Sequence, residues 1–241
     1  MKLLHDIKKV NWLRILFFYG LILAATYFSR KLPNLLTLLL SQFSDLHFTW
    51  NYNHGIVITF ISFLFYKFSS IKQEITFLGN NTLKTLAFPV ILFIGYSVYG
   101  MNNDNGINKH LWAFIFCAFM LIYNIMEEYT WRGYFTESLG NINMLIKGFI
   151  SGIFWAFWHF LIFNDFKQYG GFGVFLAFCI VFSVILTFSV SKSKAILVPA
   201  TIHTLLVSTN MVTLICFALF ALILFTWDKG FIKDKKLSTA E

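Results

Sequence analysis

The sequence is poor in charged residues, proline and cysteine. Charged side chains make up 12% of the 241 residues, there are 3 Pro, and the 3 Cys stand singly in apolar runs without CxxC or CxxH spacing. This pattern excludes a disulfide framework and a zinc finger, so we expect Cys117, Cys179 and Cys216 to be small buried apolar residues. A soluble domain is excluded as well, because 58% of the residues are hydrophobic and 31 are Phe. The composition is that of an integral membrane protein.

The apolar runs predict an all-α, polytopic membrane bundle of about eight transmembrane helices. A helix needs about twenty residues to cross ~30 Å of hydrocarbon at ~1.5 Å per residue. The predicted spans are 11–28, 55–68, 83–100, 111–133, 145–163, 172–190, 195–208 and 211–227. A break at 208–210 separates the last two, although one long tilted helix is the alternative. Residues 33–43 are too short to cross and are predicted to be interfacial or re-entrant.

The basic residues predict the orientation of these helices. The formal charge is +8, but Lys and Arg lie in short clusters between apolar runs, so the predicted partner is the lipid bilayer and no nucleic acid. With eight crossings, four of the 19 basic residues (Arg30, Lys31, Lys109 and Lys167) fall on one side and the other 15 on the opposite side. Basic loops stay in the cytoplasm, so we expect a multi-pass cell-membrane protein with both termini cytoplasmic.

We expect a single integral membrane domain, 1–241. Within it, residues 1–110 form variable N-terminal helices, 111–210 a catalytic core, and 211–241 the last helix with a basic cytoplasmic tail.

Five ionisable residues within the predicted spans are candidates for function. An ionisable group inside a membrane is costly unless it is paired or faces a cavity. Glu127, Glu128 and Arg132 lie near the end of the fourth span, His159 in the fifth and His203 in the seventh. Glu128 and Arg132 are four residues apart, the spacing at which they meet on one helix face. Glu127 has no evident partner in the local sequence, so we expect its partner across the bundle.

Their depth predicts a shared, cytoplasm-facing internal cavity. His159 is 12 residues beyond Lys147 and His203 is 9 beyond Lys194, which is roughly 13 to 18 Å into the membrane. A carboxylate beside two imidazoles can activate water or hold a metal ion, which is the chemistry of a hydrolase. A solvated helix end for the Glu pair and interhelical hydrogen bonds for the histidines are the alternatives. His5, His47, His54 and His110 are predicted to be interfacial.

Together and in this order, these residues resemble a known family. EEYTWR (127–132) is similar to the EExxxR motif of the CPBP intramembrane proteases, which include type II CAAX prenyl endopeptidases and bacteriocin-processing or bacteriocin-immunity (Abi) proteins. WAFWH (155–159) resembles the second motif, FxxxH, with Trp155 in place of Phe. The third, HxxxN, begins at His203 but has Val207 in place of Asn. Asn210, seven residues after the histidine, is a candidate substitute for that amide.

The resemblance implies a mechanism and site residues. Glu127 is the general base on water, assisted by His159, and His203 polarises the scissile carbonyl. Glu128 and Arg132 orient Glu127, with Trp155 supporting the histidine. The resemblance does not decide whether a metal cofactor is needed, because the family is described both as metal-dependent and as glutamate-dependent. If it is metal-dependent, Glu127, His159 and His203 would be the ligands of a divalent metal such as zinc. The missing amide at Val207 puts oxyanion stabilisation in doubt.

The predicted function is an intramembrane endopeptidase that cleaves a membrane-associated peptide or the terminus of a small membrane protein, in bacteriocin or peptide-pheromone processing or immunity. The alternative is a non-catalytic scaffold or immunity protein that binds a membrane partner, which Val207 favours. A third hypothesis, a proton relay or transporter, lacks the internal repeat typical of transporters.

Overall fold

The computed structural model describes residues 2–229 except 45, 47 and 49, with side chains from residue 5 onward. This part of the chain is all-helical, with 73% helix and no strands, as the sequence predicts. A single isolated bridge joins Thr76 to Ala195. The predicted basic tail beyond Lys229 and His47 lie outside the described residues.

Ten helices follow one another in the part of the chain that the structure describes. Three of them continue into a tighter or wider helical turn: α6 into a π-helical turn, and α7 and α9 into 3₁₀ turns. Their bounds are α1 Lys2–Lys8, α2 Trp12–Ser29, α3 Leu35–Leu40, α4 Asn53–Phe68, α5 Thr82–Tyr99, α6 Lys109–Glu128 with Tyr129–Phe135 and Thr136–Ser138, α7 Met144–Trp158 with His159–Leu161, α8 Phe172–Ser193, α9 Leu197–Thr204 with Leu205–Val207, and α10 Met211–Phe225.

Five of these helices are long and apolar enough to cross a membrane. They are Trp12–Ser29, Thr82–Tyr99, Lys109–Ser138, Met144–Leu161 and Phe172–Ser193. Leu197–Val207 and Met211–Phe225 are shorter apolar helices. The predicted break between them is confirmed, because Ser208 is extended and Asn210 starts a new helix.

Asparagine marks where most of these helices begin. An Asn side chain at the N-cap accepts a hydrogen bond from a backbone N–H of the first turn that would otherwise be unpaired. Six helices start this way, with caps at Asn11, Asn34, Asn81, Asn108, Asn143 and Asn210. These caps fix the helix starts and therefore the register of the side chains that follow.

Helices α7 and α8 pack unusually closely through two glycines. A Cβ at Gly148 would lie 2.7 Å from the Cα of Val184, and one at Gly152 would lie 2.6 Å from the Cα of Ile180. Small residues four apart let two membrane helices bring their backbones together. This contact holds α7, which carries Trp155 and His159, against α8.

The helix ends form two opposite faces of the bundle. At one face, the Thr76 N–H donates to the Lys194 carbonyl over 2.9 Å, and the Lys84 ammonium donates to the Thr226 carbonyl over 2.7 Å. Arg14, near the start of α2, lies beside Ser69 at this face. We call it the basic end; it comprises the starts of α2, α5, α7 and α9, the ends of α4, α6, α8 and α10, and the loops between them.

The other face, the pocket end, comprises the segment between α2 and α4 and loops 100–108, 162–171 and 208–210. The Arg30 guanidinium donates to the Ile162 carbonyl over 3.1 Å. The Tyr96 hydroxyl donates to the Ser208 carbonyl over 2.9 Å. These contacts tie the connecting loops together around the opening described below.

Candidate active site

Glu127, Glu128 and Arg132 lie where α6 changes from α-helical to π-helical geometry. The π-helical turn covers Tyr129–Phe135. Such turns are rare and occur often at functional sites. The predicted pair is present: an Arg132 Nη1 hydrogen donates to Glu128 Oε1 over 3.2 Å, and neither side chain is exposed. Glu127 faces a different direction and is 3% exposed.

Trp155 lies at the centre of the site. Its indole N–H donates to Glu127 Oε2 over 3.1 Å, and the Arg132 guanidinium lies 4.7 Å from the centre of its ring. The ring also packs edge-on against His159 and His203, with ring centres 4.9 and 5.2 Å apart. The aromatic contact expected between Trp155 and His159 is therefore present, and the indole N–H adds a contact to the carboxylate that a phenylalanine could not make.

Each histidine has one ring nitrogen fixed by a neighbour. His159 Nδ1 lies 2.7 Å from the Trp155 carbonyl oxygen, and His203 Nδ1 lies 2.8 Å from Glu128 Oε1. A carbonyl oxygen only accepts hydrogen bonds, so the proton of a neutral His159 is on Nδ1. Its Nε2 then carries the lone pair. Nε2 is also the remaining nitrogen of His203.

Three residues of the site escaped the sequence analysis. The Tyr123 hydroxyl lies beside Glu127 and forms a hydrogen bond with His54 Nε2 over 2.6 Å. His54 is 1% exposed, so the prediction that it is interfacial is wrong. The Asn124 amide donates to Thr204 Oγ1 over 3.0 Å. Tyr123 and Asn124 precede Glu127 by four and three residues, the spacing of one helix face, and this spacing is the signal that could have found them.

These side chains line one cavity of about 480 Å³, within the usual size range of ligand pockets. Glu127, Trp155, His159 and His203 all lie on its wall, and Asn124 lies there as well. Most of the remaining wall is apolar or aromatic: Trp50, Phe116, Met120, Tyr123, Ile162, Phe163, Tyr169, Phe175, Phe178, Leu206 and Val207, with Thr209. Polar groups thus converge at one spot in an apolar pocket, as in an enzyme site.

The cavity opens at the pocket end of the bundle. Trp50 and Tyr169 form its rim and are 39% and 37% exposed, and Thr209 at the rim is exposed as well. The start of α2 and the end of α10 lie at the basic end. The sequence analysis predicts both features on the cytoplasmic side, whereas the structure places them at opposite ends of the bundle.

The two candidates for the third-motif amide lie in different places. Val207 is in the cavity wall and brings an apolar side chain there. Asn210 caps α10 by accepting from the Thr213 N–H over 3.2 Å, and its amide donates to Ser208 Oγ over 3.0 Å. Asn210 is absent from the cavity wall because the chain turns at 208–210.

The side chains do not fit a metal site. Among the residues that the structure describes, no three His, Cys, Asp or Glu side chains are grouped to hold a metal ion. Glu127, moreover, accepts a hydrogen bond from the Trp155 indole and lies beside the Tyr123 hydroxyl. These surroundings suit a carboxylate that is not bound to a metal.

Comparison with known protein families agrees with the motifs. The model "Type II CAAX prenyl endopeptidase Rce1-like" matches residues 108–209, which include all three motifs. Residues 108–209 are therefore similar to the Rce1-like domain. The resemblance to the CPBP and CAAX proteases is thereby confirmed. No curated protein and no solved structure matches the chain.

The Rce1-like match supports the general activity of a CAAX-type intramembrane endopeptidase. A multi-pass membrane protein agrees with this domain and with the five long apolar helices. The matched segment contributes Asn124, Glu127 and Glu128 from α6, Trp155 and His159 from α7, and His203 from α9.

Proposed function

We propose that the protein is an intramembrane endopeptidase in which Glu127 and His159 activate water and His203 binds the scissile carbonyl. The observation that carries this proposal is the convergence of one carboxylate and two imidazoles, from α6, α7 and α9, on a single apolar cavity. The substrate is a membrane-associated peptide or the terminus of a small membrane protein.

The hydrolysis follows from the positions of the groups. Glu127 takes a proton from water as the water oxygen bonds to the carbonyl carbon. His159 Nε2 accepts a hydrogen bond from the same water and so orients it. His203 uses its remaining ring nitrogen, Nε2, to bind the carbonyl oxygen, where negative charge develops. The C–N bond then breaks as the proton passes from Glu127 to the leaving nitrogen, which gives a carboxylic acid and an amine. The acid proton, which came with the water oxygen, then passes to the amine, so a carboxylate and an ammonium group are released.

Glu128 and Arg132 hold this arrangement in place. Glu128 Oε1 accepts from both Arg132 and His203, so a single oxygen fixes the imidazole of α9 to α6. The guanidinium also lies against Trp155, which donates to Glu127. We infer that the second glutamate and the arginine are positioning residues.

Asn124 supplies the amide that Val207 lacks. It is on the cavity wall one helical turn before Glu127, and its side chain is fixed by the bond to Thr204. An amide has two N–H donors, and this bond uses one. We propose that the other donates to the developing oxyanion, in place of Asn210.

The path of the chain supports eight crossings. Arg14 and Thr226 both lie at the basic end, so the chain between them crosses the bundle an even number of times. The five long helices alone would give an odd number. Adding α4, α9 and α10 gives eight, the number that the sequence predicts, with the start of α2 and the end of α10 on the same side.

The test is a profile of membrane peptides from cells that produce the wild type, Glu127→Gln or His159→Ala. Glu74→Gln, an exposed carboxylate at the basic end, is the matched control for the first variant. We expect uncut peptides to accumulate in both site variants and not in the control, at equal protein levels in the membrane. Unchanged peptide profiles in both would instead favour the scaffold or immunity function.

A further inference from the structure

The cavity opens at one end of the bundle, and most of the basic residues lie at the other end. This separation indicates from which side of the membrane the substrate approaches. At the pocket end, the described chain carries four basic residues: Arg30, Lys31, Lys109 and Lys167. The basic end carries most of the others, in its loops or in the adjoining helix turns: Lys8, Lys9, Lys72, Lys147, Lys192, Lys194 and Lys229.

The cavity has no opening to the basic end among the described residues. Beyond Glu127, in the direction of that end, α6 continues with Glu128, Trp131 and Arg132, all with 0% exposure. The start of α9, beneath His203, is also enclosed: Val198 and Ala200 are both 0% exposed. Water and a peptide therefore reach Glu127 from the pocket end.

Lysine and arginine in short loops are retained in the cytoplasm during membrane insertion. The basic end is then cytoplasmic, and the rim formed by Trp50, Tyr169 and Thr209 lies on the outer face. The cavity then opens outward and not to the cytoplasm.

We propose that the site cleaves peptide segments presented on the extracytoplasmic face of the membrane. This inference rests on the proposed peptidase activity and defines its substrate class: a translocated or membrane-inserted peptide whose scissile bond lies beside a bulky apolar residue. The apolar residue is required by the wall, because Phe163, Phe175 and Phe178 line the cavity while its only carboxylate is Glu127. A peptide confined to the cytoplasm cannot reach this opening.

The orientation can be measured without a substrate, because the protein has no accessible thiol of its own among the described residues. Cys117, Cys179 and Cys216 are all buried and free, so the wild type serves as an unlabelled blank. Single cysteines are introduced at exposed positions: Asp104→Cys at the pocket end, Thr209→Cys at the rim and Lys72→Cys at the basic end. Intact cells are treated with a membrane-impermeant maleimide, before and after permeabilisation.

We expect Asp104→Cys and Thr209→Cys to be labelled in intact cells and Lys72→Cys only after permeabilisation. The reverse pattern, or labelling of all three in intact cells, would overturn the orientation. Labelling does not depend on catalysis, so this result is separate from the fate of the peptidase proposal, which fails if Glu127→Gln still cleaves.

The substrate class has its own test once a cleaved peptide is known from the membrane-peptide profile. Proteoliposomes are sorted into those with the Asp104→Cys label outside and those with it inside, and the peptide is added to the outside. We expect cleavage only where the pocket end faces outward. Cleavage only where the basic end faces outward would overturn the assigned route.

Discussion

Replacing Gly152 with alanine should destabilise the bundle and reduce cleavage. The new methyl group would lie 2.6 Å from the Cα of Ile180 and 2.9 Å from the carbonyl oxygen of Cys179. Both are backbone atoms, so no side-chain rotation relieves the contact, and α7 must move away from α8. Overpacking of this kind costs about 1–3 kcal/mol of unfolding free energy.

Gly20→Ala is the matched control for this substitution. Gly20 also lies within a helix, α2, but no atom would lie within 4 Å of its new Cβ. Alanine favours a helix over glycine by about 1 kcal/mol, a gain that both variants share. The difference between their stabilities therefore isolates the helix-packing cost.

The assay is thermal unfolding of both purified variants in detergent, followed by tryptophan fluorescence, together with cleavage by each. We expect Gly152→Ala to unfold at a lower temperature than Gly20→Ala and to cleave more slowly, because His159 is in the 3₁₀ turn that ends α7. Equal unfolding temperatures and equal rates would refute the conclusion that the α7–α8 contact positions the histidine.

Two further substitutions test residues that the motifs do not include. Asn124→Ala and Asn124→Asp both remove the amide donor, so each should slow cleavage about a hundredfold, the usual cost of one oxyanion donor. Asn102→Ala, in a surface loop, is the control. An unchanged cleavage rate in both Asn124 variants would show that another group stabilises the oxyanion. Tyr123→Phe keeps the ring but removes the hydroxyl between His54 and Glu127. A hydroxyl that hydrogen-bonds a charged group contributes about 1.5–3 kcal/mol, so cleavage should slow roughly 10- to 100-fold. The exposed Tyr99→Phe should have no effect; equal rates for both tyrosine variants would show that the hydroxyl does not position the carboxylate.

Much of the fold follows from short-range patterns in the sequence. The apolar runs and the asparagine caps place the helices to within a few residues, and the break at 208–210 follows from its polar residues. The close contact of α7 and α8 also has a local signal, since Gly148 and Gly152 are four residues apart. These features depend on neighbours in sequence, and so they can be predicted without knowledge of the tertiary packing.

The orientation of the cavity is a tertiary property that residue spacing alone does not determine. His159 was placed by counting 12 residues from Lys147, about 18 Å, which already exceeds half of a ~30 Å bilayer. In the structure α7 begins at Met144, so the histidine lies still farther from the basic end. Depth counted from one end thus shows how far a residue lies from that surface, and not which surface the cavity opens to.

Partners within the site could be predicted only in part. The Glu128–Arg132 pair follows from its spacing and is present. Its further contact with His203 joins residues 75 apart in the chain and depends on the packing of α9 against α6. The local partner of Glu127 was missed because a tyrosine four residues earlier, in an apolar run, is typical of ordinary packing.

The central claim, that Glu127 activates water for peptide hydrolysis, is tested most directly with isotopically labelled water. The purified protein and Glu127→Gln are reconstituted in lipid vesicles with a peptide from the membrane profile, and the reaction is run in water enriched in oxygen-18. Glutamine keeps an oxygen that accepts from Trp155 but cannot take the proton. We predict that the wild type places the heavy oxygen in the new carboxylate, and that the variant does so about 10²–10⁴ times more slowly with an unchanged unfolding temperature. Equal incorporation by both proteins would contradict the account.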